Sequence, residues 1–142
     1  KKKIIFFYIS KETLDRSNLK SLKVGDMINL EKSIILGQEI SGHFVQGHVD
    51  TTALVKNFKI IGKTWVINFI LKDKKLSKFI IEKASISING VSLTISKVKN
   101  NYFEVNVIPH TLNMTNLKKI KIKTIVNVEL DIFVKYILKV SN

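Results

Sequence analysis

The chain has 142 residues, of which 45% are hydrophobic, and it contains no cysteine. This composition suits one globular domain with a core of its own and a short appendage, and it excludes a disordered chain, disulfides and thiol catalysis. No apolar run approaches the roughly 18 residues needed to cross a bilayer, and no signal peptide is recognisable. We therefore expect no membrane partner and a cytoplasmic location.

The formal net charge of +13 comes from lysines scattered along the chain, with Arg16 the one arginine among 24 basic residues. Specific nucleic-acid binders rely on arginine for bidentate contacts, so we expect no nucleic-acid partner. A basic β-barrel that binds single-stranded nucleic acid remains an alternative from another class of function.

The first third of the chain predicts two strands and a short polar turn. Residues 3–10 are β-branched and aromatic over a strand's length, and residues 24–30 alternate after a Gly-Asp turn. Between them, residues 13–22 predict a turn or short helix. Residues 32–39 link this part to the rest.

The remainder predicts six strands, at residues 51–60, 64–71, 85–90, 91–97, 102–108 and 124–130. Gly62 lies in the first hairpin, Asn89-Gly90 gives a strong turn signal, and Pro109 stops the fifth strand. Residues 75–81 and 132–140 predict short helices, and residues 111–120 repeat the polar turn. Six short strands at this spacing favour an all-β fold, a closed antiparallel barrel.

A repeat divides the chain. TLDRSNLKSLKVGDMINLE at residues 13–31 matches TLNMTNLKKIKIKTIVNVE at residues 111–129, with eight of 19 positions identical at a constant offset of 98. A period of that size indicates a repeated small domain. We interpret residues 1–36 as the C-terminal remnant of a first unit, 37–131 as a complete second unit and 132–142 as a C-terminal helix. About 60 residues of the first unit would then lie upstream.

Two stretches could carry chemistry. His43 and His48 are five residues apart, which places them on opposite faces of a strand and makes them a poor metal pair. Ser92 and Thr94 share one face of a strand that starts after a glycine turn, where they either hold a polar ligand or simply contact water. His110, which aligns with Glu12 in the repeat, is interpreted as a surface residue.

These residues together resemble the riboflavin synthase family of the α-chain type, which is built from two lumazine-binding barrels. The resemblance rests on Gly42-His-Phe-Val-Gln-Gly-His-Val49, Asn89-Gly-Val-Ser-Leu-Thr-Ile95 and Ile108-Pro-His-Thr-Leu112, in that order, and spans about residues 4–131. It implies Greek-key barrels and the dismutation of two molecules of 6,7-dimethyl-8-ribityllumazine into riboflavin and 5-amino-6-(D-ribitylamino)uracil. It also implies that no metal or organic cofactor is needed.

The resemblance implies a site between the first barrel of one subunit and the second barrel of another, in a homotrimer that the C-terminal helix could help to form, with the lumazine synthase shell as a further partner. Catalytic candidates are His48 as proton shuttle, Ser92, Thr94 and, more weakly, Asp131. Substrate-binding candidates in the second barrel are Gly47, His48, Val49, Lys83, Ser92, Leu93, Thr94, Ile108, Pro109, His110, Thr111, Leu112 and Asn113. Those in the remnant are Tyr8, Ile9, Ser10, Lys11, Glu12 and Thr13.

The chain also departs from the family pattern. The start of the first barrel is absent, so we expect half of a composite active site to be missing, and His110 stands where the family more often has an acidic residue. A non-catalytic lumazine- or flavin-binding protein of the same fold is the alternative, since a carrier needs one pocket and no proton shuttle.

Overall fold

The structure, a computed structural model, describes residues 4–100 and 102–141. Six strands close into an antiparallel barrel in the order β1-β2-β5-β4-β3-β6, which confirms the predicted fold class. The path from β2 to β3 and that from β5 to β6 cross the barrel end in Greek-key fashion. The strands are β1 (Thr51–Ile61), β2 (Thr64–Leu71), β3 (Ser85–Ile88), β4 (Val91–Lys99), β5 (Tyr102–Val107) and β6 (Ile125–Leu130).

Helices are few and short in the described residues. The α-helices are α1 (Lys11–Arg16), α2 (Pro109–Met114) and α3 (Ile132–Val140), and 3-10 helices cover Leu19–Ser21, Lys74–Phe79 and Asn116–Lys119. The helix predicted at residues 75–81 is therefore a 3-10 helix, whereas α3 confirms the predicted C-terminal helix. No helix in the described ranges is long and apolar enough to cross a membrane.

The apolar side chains of the strands fill the barrel, and the polar ones point outward, as the alternation predicts. On β5, Phe103, Val105 and Val107 are buried, and Phe103 stacks on Phe69 of β2 with ring centroids 5.4 Å apart. On β4, Ile95 is buried while Thr94 is exposed. The hydroxyl face of β4 is therefore the outer face of the barrel.

Two strand predictions are wrong. Residues 4–10 and 24–30 form no strand, and most of their side chains are exposed; residue 3 lies outside the described part. At the offset of 98 these segments correspond to β5 and β6, each of which has a neighbouring strand on both sides. A strand needs partners for its backbone N–H and C=O groups, and neither segment has them among the described residues.

Residues 4–36, the tail segment, nevertheless fold locally like their counterparts in the barrel domain. Helix α1 and helix α2 begin and end 98 residues apart. In the tail, the Ser17 hydroxyl donates to the carbonyl oxygen of Thr13 at 2.6 Å, and in the barrel domain the Thr115 hydroxyl donates to that of Thr111 at 2.7 Å. The similarity of the two sequences thus extends to their hydrogen bonds.

Four asparagines attach the tail segment to the barrel by a reciprocal exchange. The Asn18 amide N–H donates to Oδ1 of Asn127 at 2.7 Å, and the Asn116 amide N–H donates to Oδ1 of Asn29 at 2.8 Å. Asn18 aligns with Asn116 and Asn29 with Asn127 in the repeat, so one bond is the mirror of the other. The side-chain amides repeat the pattern, since Asn18 donates to the Ile125 carbonyl and Asn116 to that of Met27. The two copies therefore face each other across a local pseudo-two-fold axis.

Candidate functional site

Residues 41–50, the crossing segment, pass over the outer surface of three neighbouring strands before β1 begins. Ser92 of β4 pairs with Ser87 of β3, and Ser87 pairs with Glu129 of β6, so the three side chains form one row across the sheet. The segment contacts both ends of this row. His43 forms a hydrogen bond with Ser92, and the backbone N–H of Gln46 donates to Oε1 of Glu129 at 2.6 Å. The row and the crossing segment therefore hold each other in place.

Gly42 makes the contact with β4 close. Its φ is +100°, and a Cβ built on it would lie 2.4 Å from Oγ of Ser92, which is nearer than real Cβ atoms approach. Without a side chain at that point, the backbone settles on Ser92 and the His43 amide donates to Oγ of Ser92 at 3.3 Å. Nδ1 of His43 lies 2.8 Å from the same oxygen. The remaining ring nitrogen, Nε2, is buried and has no hydrogen-bond partner among the described residues.

A second group of predicted site residues lies on the outside of the barrel beside this contact; we call it the β4 face and define it as Lys83, Ser92, Thr94 and residues 108–113. The Lys83 amide donates to the Ile95 carbonyl at 2.8 Å, and Ser85 pairs with Thr94. Ile95 pairs with Val105 of the antiparallel β5, so the residues just after β5 reach the end of the barrel at which β4 begins. Residues 108–113 therefore follow β5 at the end of β4 that carries Ser92.

Side-chain exposure separates the residues of the β4 face that can contact a ligand from those that support it. Thr94, Lys83 and His110 are exposed, which agrees with the surface position expected for His110. Leu112 is buried in the core, and Leu93, which lies between Ser92 and Thr94 on the inner side of β4, packs against the core. The two leucines therefore shape the site from beneath.

The catalytic candidates outside β4 lie in different settings. His48 is exposed on the crossing segment. Asp131 caps helix α3, since its Oδ1 accepts from the amide of Phe133 at 2.9 Å. Asp50, which sequence reasoning passed over, accepts from the Leu130 amide at 2.8 Å and forms an ion pair with Lys135 at 3.0 Å. In this arrangement both aspartates fix the start of α3.

The remaining candidates lie in the tail segment, either just before α1 or in its cap and first turn. The Ser10 hydroxyl caps this helix by accepting from the amide of Thr13 at 3.1 Å. Glu12 pairs with Arg16, and this hydrogen bond raises the pKa of the Arg16 guanidinium above its usual value. Tyr8 is fully exposed.

A cavity of about 420 Å³ lies between the tail segment and the end of the barrel. Its wall includes five of the predicted binding residues: Tyr8, Ile9, Thr13, Gly47 and Val49. The other tail residues that line it are Phe7, Asn18, Leu19, Leu22, Ile28, Asn29 and Leu30, and the other barrel-domain residues are Val45, Ser87, Asn89, Gly90, Asn116, Asn127 and Glu129. The crossing segment joins this cavity to the β4 face, because it contributes Val45 to the cavity and His43 to Ser92.

The asparagines of this cavity already bond to one another. Oδ1 of Asn116 accepts from the side-chain amide of Asn29 at 3.1 Å, and Oδ1 of Asn89 accepts from the backbone N–H of Asn127 at 2.8 Å. They therefore serve to join the tail segment to the barrel. The cavity wall that remains is mainly apolar.

Chemically, the β4 face offers hydroxyls, backbone groups and an ammonium at the edge of an apolar surface, which suits a polar heterocycle. Among the described residues, no three histidine, aspartate or glutamate side chains are grouped so that they could hold a metal ion.

Sequence reasoning missed the contacts that assemble the site, namely those of Gly42, Asp50, Glu129 and the four asparagines. A signal was present for most of these, because Asn18/Asn116, Asn29/Asn127 and Glu31/Glu129 are identical in the repeat. For Gly42 and Asp50 there was none, because their partners lie 50 and 80 residues away along the chain.

The profile of the lumazine binding domain matches residues 46–131, and the chain belongs to this family. Its most similar relatives include riboflavin synthases. That of Buchnera aphidicola subsp. Schizaphis graminum is 36% identical over 94% of this chain and 64% of the relative. That of Escherichia coli (strain K12) is 41% identical over 89% of this chain and 60% of the relative. The chain thus spans less than two thirds of the length of the riboflavin synthases it matches.

Solved structures confirm the fold. The protein LumP in complex with 6,7-dimethyl-8-(1'-D-ribityl) lumazine aligns with a TM-score of 0.74 at 23% identity, over 84% of this chain and 64% of LumP. LumP in complex with riboflavin aligns with a TM-score of 0.77 at 24% identity, over the same shares of the two chains.

Proposed function

We propose that this chain is part of a riboflavin synthase, which converts two molecules of 6,7-dimethyl-8-ribityllumazine into riboflavin and 5-amino-6-(D-ribitylamino)uracil by moving a four-carbon unit from one to the other. The observation that carries the proposal is the 36–41% identity to riboflavin synthases over about nine tenths of the chain. The β4 face supports it, because hydroxyls and a cation lie there beside apolar side chains, which suits a polar heterocycle.

The reaction requires proton transfers, and His48 is our candidate for the shuttle. A methyl proton of one lumazine must leave to give a carbanion that the ring stabilises, and a proton must later return. Histidine changes its charge near neutral pH and is the usual side chain for such a step. His48 is exposed on the crossing segment, two residues before the ion-paired Asp50. In this proposal Ser92 and Thr94 hold the ring, and Thr111 contacts the ribityl chain.

The tail segment supports the proposal that residues 1–36 end a first barrel. Its helix, its caps and its asparagine bonds repeat those of the barrel domain at the offset of 98. Many of its apolar side chains are exposed, among them Phe6, Tyr8 and Leu36. A first barrel would supply the neighbours that residues 4–10 and 24–30 need to form strands.

Helix α3 supports the proposal of a homotrimer. Phe133, Tyr136, Ile137 and Val140 follow a helical stripe and are each more than half exposed. The helix is held on the barrel from its other side, since Lys135 forms an ion pair with Asp50 at 3.0 Å. An anchored helix with an exposed apolar stripe suits association with copies of itself.

A non-catalytic lumazine- or flavin-binding protein is the second candidate. The structures of LumP favour it, because proteins of this fold are found in complex with 6,7-dimethyl-8-(1'-D-ribityl) lumazine and with riboflavin. Such a protein needs the β4 face but has no use for a proton shuttle at His48.

The deciding experiment incubates the intact gene product with 6,7-dimethyl-8-ribityllumazine and follows riboflavin by absorbance, for the wild type and for His48→Ala. We expect riboflavin from the wild type and a loss of at least about 100-fold in kcat from the variant, as for removal of a general acid-base group. Lys59→Ala, at an exposed strand position, is the control and should retain the wild-type rate.

The result separates the candidates. Tight binding without turnover by the wild type would identify a carrier. No binding at all would refute the β4 face as a lumazine site. Turnover that is unchanged in His48→Ala would leave a synthase but remove His48 from its mechanism.

A further inference from the structure

The contact between His43 and Ser92 determines what the Ser92 hydroxyl can offer to a ligand. A serine hydroxyl has one proton to donate and two lone pairs that accept. The amide of His43 can only donate, so it uses one lone pair of Oγ. The bond to Nδ1 at 2.8 Å then uses either the second lone pair or the proton, depending on which ring nitrogen of His43 carries hydrogen.

The surroundings of Nε2 favour one tautomer. This nitrogen is buried and has no partner among the described residues, so a proton there would be a buried donor without an acceptor. Buried N–H groups without an acceptor are rare in folded proteins, because each one lowers the free energy of unfolding. A proton on Nδ1 has an acceptor at hydrogen-bond distance. These surroundings favour a neutral ring that is protonated on Nδ1 and donates to Ser92.

We propose that His43 is a positioning residue that donates to Ser92 twice, through its amide and through Nδ1, and so leaves this hydroxyl only its proton to offer. Ser92 is then a fixed donor at the β4 face. The ligand must meet it with an acceptor, a carbonyl oxygen or an unprotonated ring nitrogen, and an N–H at that point of the ligand is disfavoured. The ligand part of this inference rests on the proposed function, whereas the hydrogen-bond direction does not.

Gly42 is needed for this double hydrogen bond between His43 and Ser92. Because it has no Cβ, the backbone comes close enough for the amide and the ring of one residue to reach the same oxygen. A hydroxyl with both acceptor sites filled has a narrow range of proton directions. This is the preorganisation that a binding hydrogen bond requires.

The hydrogen-bond direction is tested without any ligand. Long-range ¹H–¹⁵N correlation spectra of the ¹⁵N-labelled protein, above the pH at which histidine is protonated, distinguish the two tautomers. We expect a protonated Nδ1 in the wild type and a change toward a mixture in Ser92→Ala, where Nδ1 loses its acceptor. A protonated Nε2 in the wild type would overturn the proposal.

The ligand part is tested with two variants of equal shape. The side-chain amide of His43→Asn places a donor near the position of Nδ1, whereas the carboxylate of His43→Asp can only accept and would receive the hydrogen bond of the Ser92 hydroxyl. In fluorescence titrations with 6,7-dimethyl-8-ribityllumazine, we expect the Asn variant to bind within a few-fold of wild type. The Asp variant should bind about tenfold more weakly, the loss of one hydrogen bond.

His43→Phe, which has neither a donor nor a charge, separates the donor from the charge of the aspartate. It leaves the Ser92 proton free but no longer oriented, so its affinity should fall between those of His43→Asn and His43→Asp, and wild-type affinity in this variant would overturn the proposal. If the wild type itself fails to bind the lumazine, the proposed function fails, and the tautomer still decides the role of His43.

Discussion

Gly42 shows how strictly a single position can be determined by a partner far along the chain. It combines a positive φ with a backbone that lies against Ser92, 50 residues later. Either feature alone disfavours a side chain, the first by strain and the second by steric overlap. The glycine in the sequence was visible, but its partner was not.

We therefore expect Gly42→Ala to lower the free energy of unfolding by about 2–4 kcal/mol. Gly90→Ala is the matched control, because Gly90 also has a positive φ of +80° but has open space where a Cβ would go. Chemical denaturation of both variants measures the difference. Equal losses would mean that strain alone accounts for the effect and that Ser92 moves aside freely.

At the scale of elements, the tail segment and the barrel domain show what a strand requires beyond its own sequence. Residues 24–30 and β6 share a repeat, yet only β6 is a strand, because β1 and β3 flank it. Helix α1 and helix α2 form equally well in both copies, since their caps are local: Ser17 and Thr115 bond within their own turns. Hydrogen bonds within a turn form wherever the turn sequence is present, whereas the hydrogen bonds of a strand also require neighbouring strands.

The reciprocal asparagine bonds make a paired prediction. Asn127→Ala removes the acceptor of the Asn18 amide, and Asn29→Ala removes that of the Asn116 amide. We expect hydrogen exchange of the affected amide to accelerate by about tenfold or more in each variant, because that N–H loses its acceptor.

Asn68→Ala is the control, since Asn68 bonds to Asn57 on the β1–β2 hairpin, away from this interface. It should leave both amides protected. If neither Asn18 nor Asn116 responds to loss of its acceptor, the pseudo-two-fold contact does not exist in solution.

At the scale of the whole molecule, exposed apolar surface is concentrated on the tail segment and on α3, while the barrel is closed and well filled. Helix α3 has its stripe of four apolar side chains on the side away from its anchor at Asp50. This separation of an anchored side and an exposed side is the basis of the trimer proposal.

If the proposed trimer forms through α3, Ile137→Lys should give a monomer, because it places a charge in the middle of the apolar stripe. Light scattering coupled to size-exclusion chromatography measures the mass. Lys139→Gln, a change at another exposed position of the same helix, should leave the mass unchanged. A trimer that survives Ile137→Lys would exclude α3 as its contact.

The sequence by itself determined the six strands, their turns and the closed barrel, because alternation and turn residues such as Asn89-Gly90 act within a few residues. It also determined the repeat and the segments of the β4 face. Only the tertiary structure decided that residues 4–10 and 24–30 are not strands, that Leu112 is buried in the core, and that His43 binds Ser92. Each of these depends on a partner that is distant in the chain. A local sequence pattern does not show which distant groups are available as partners.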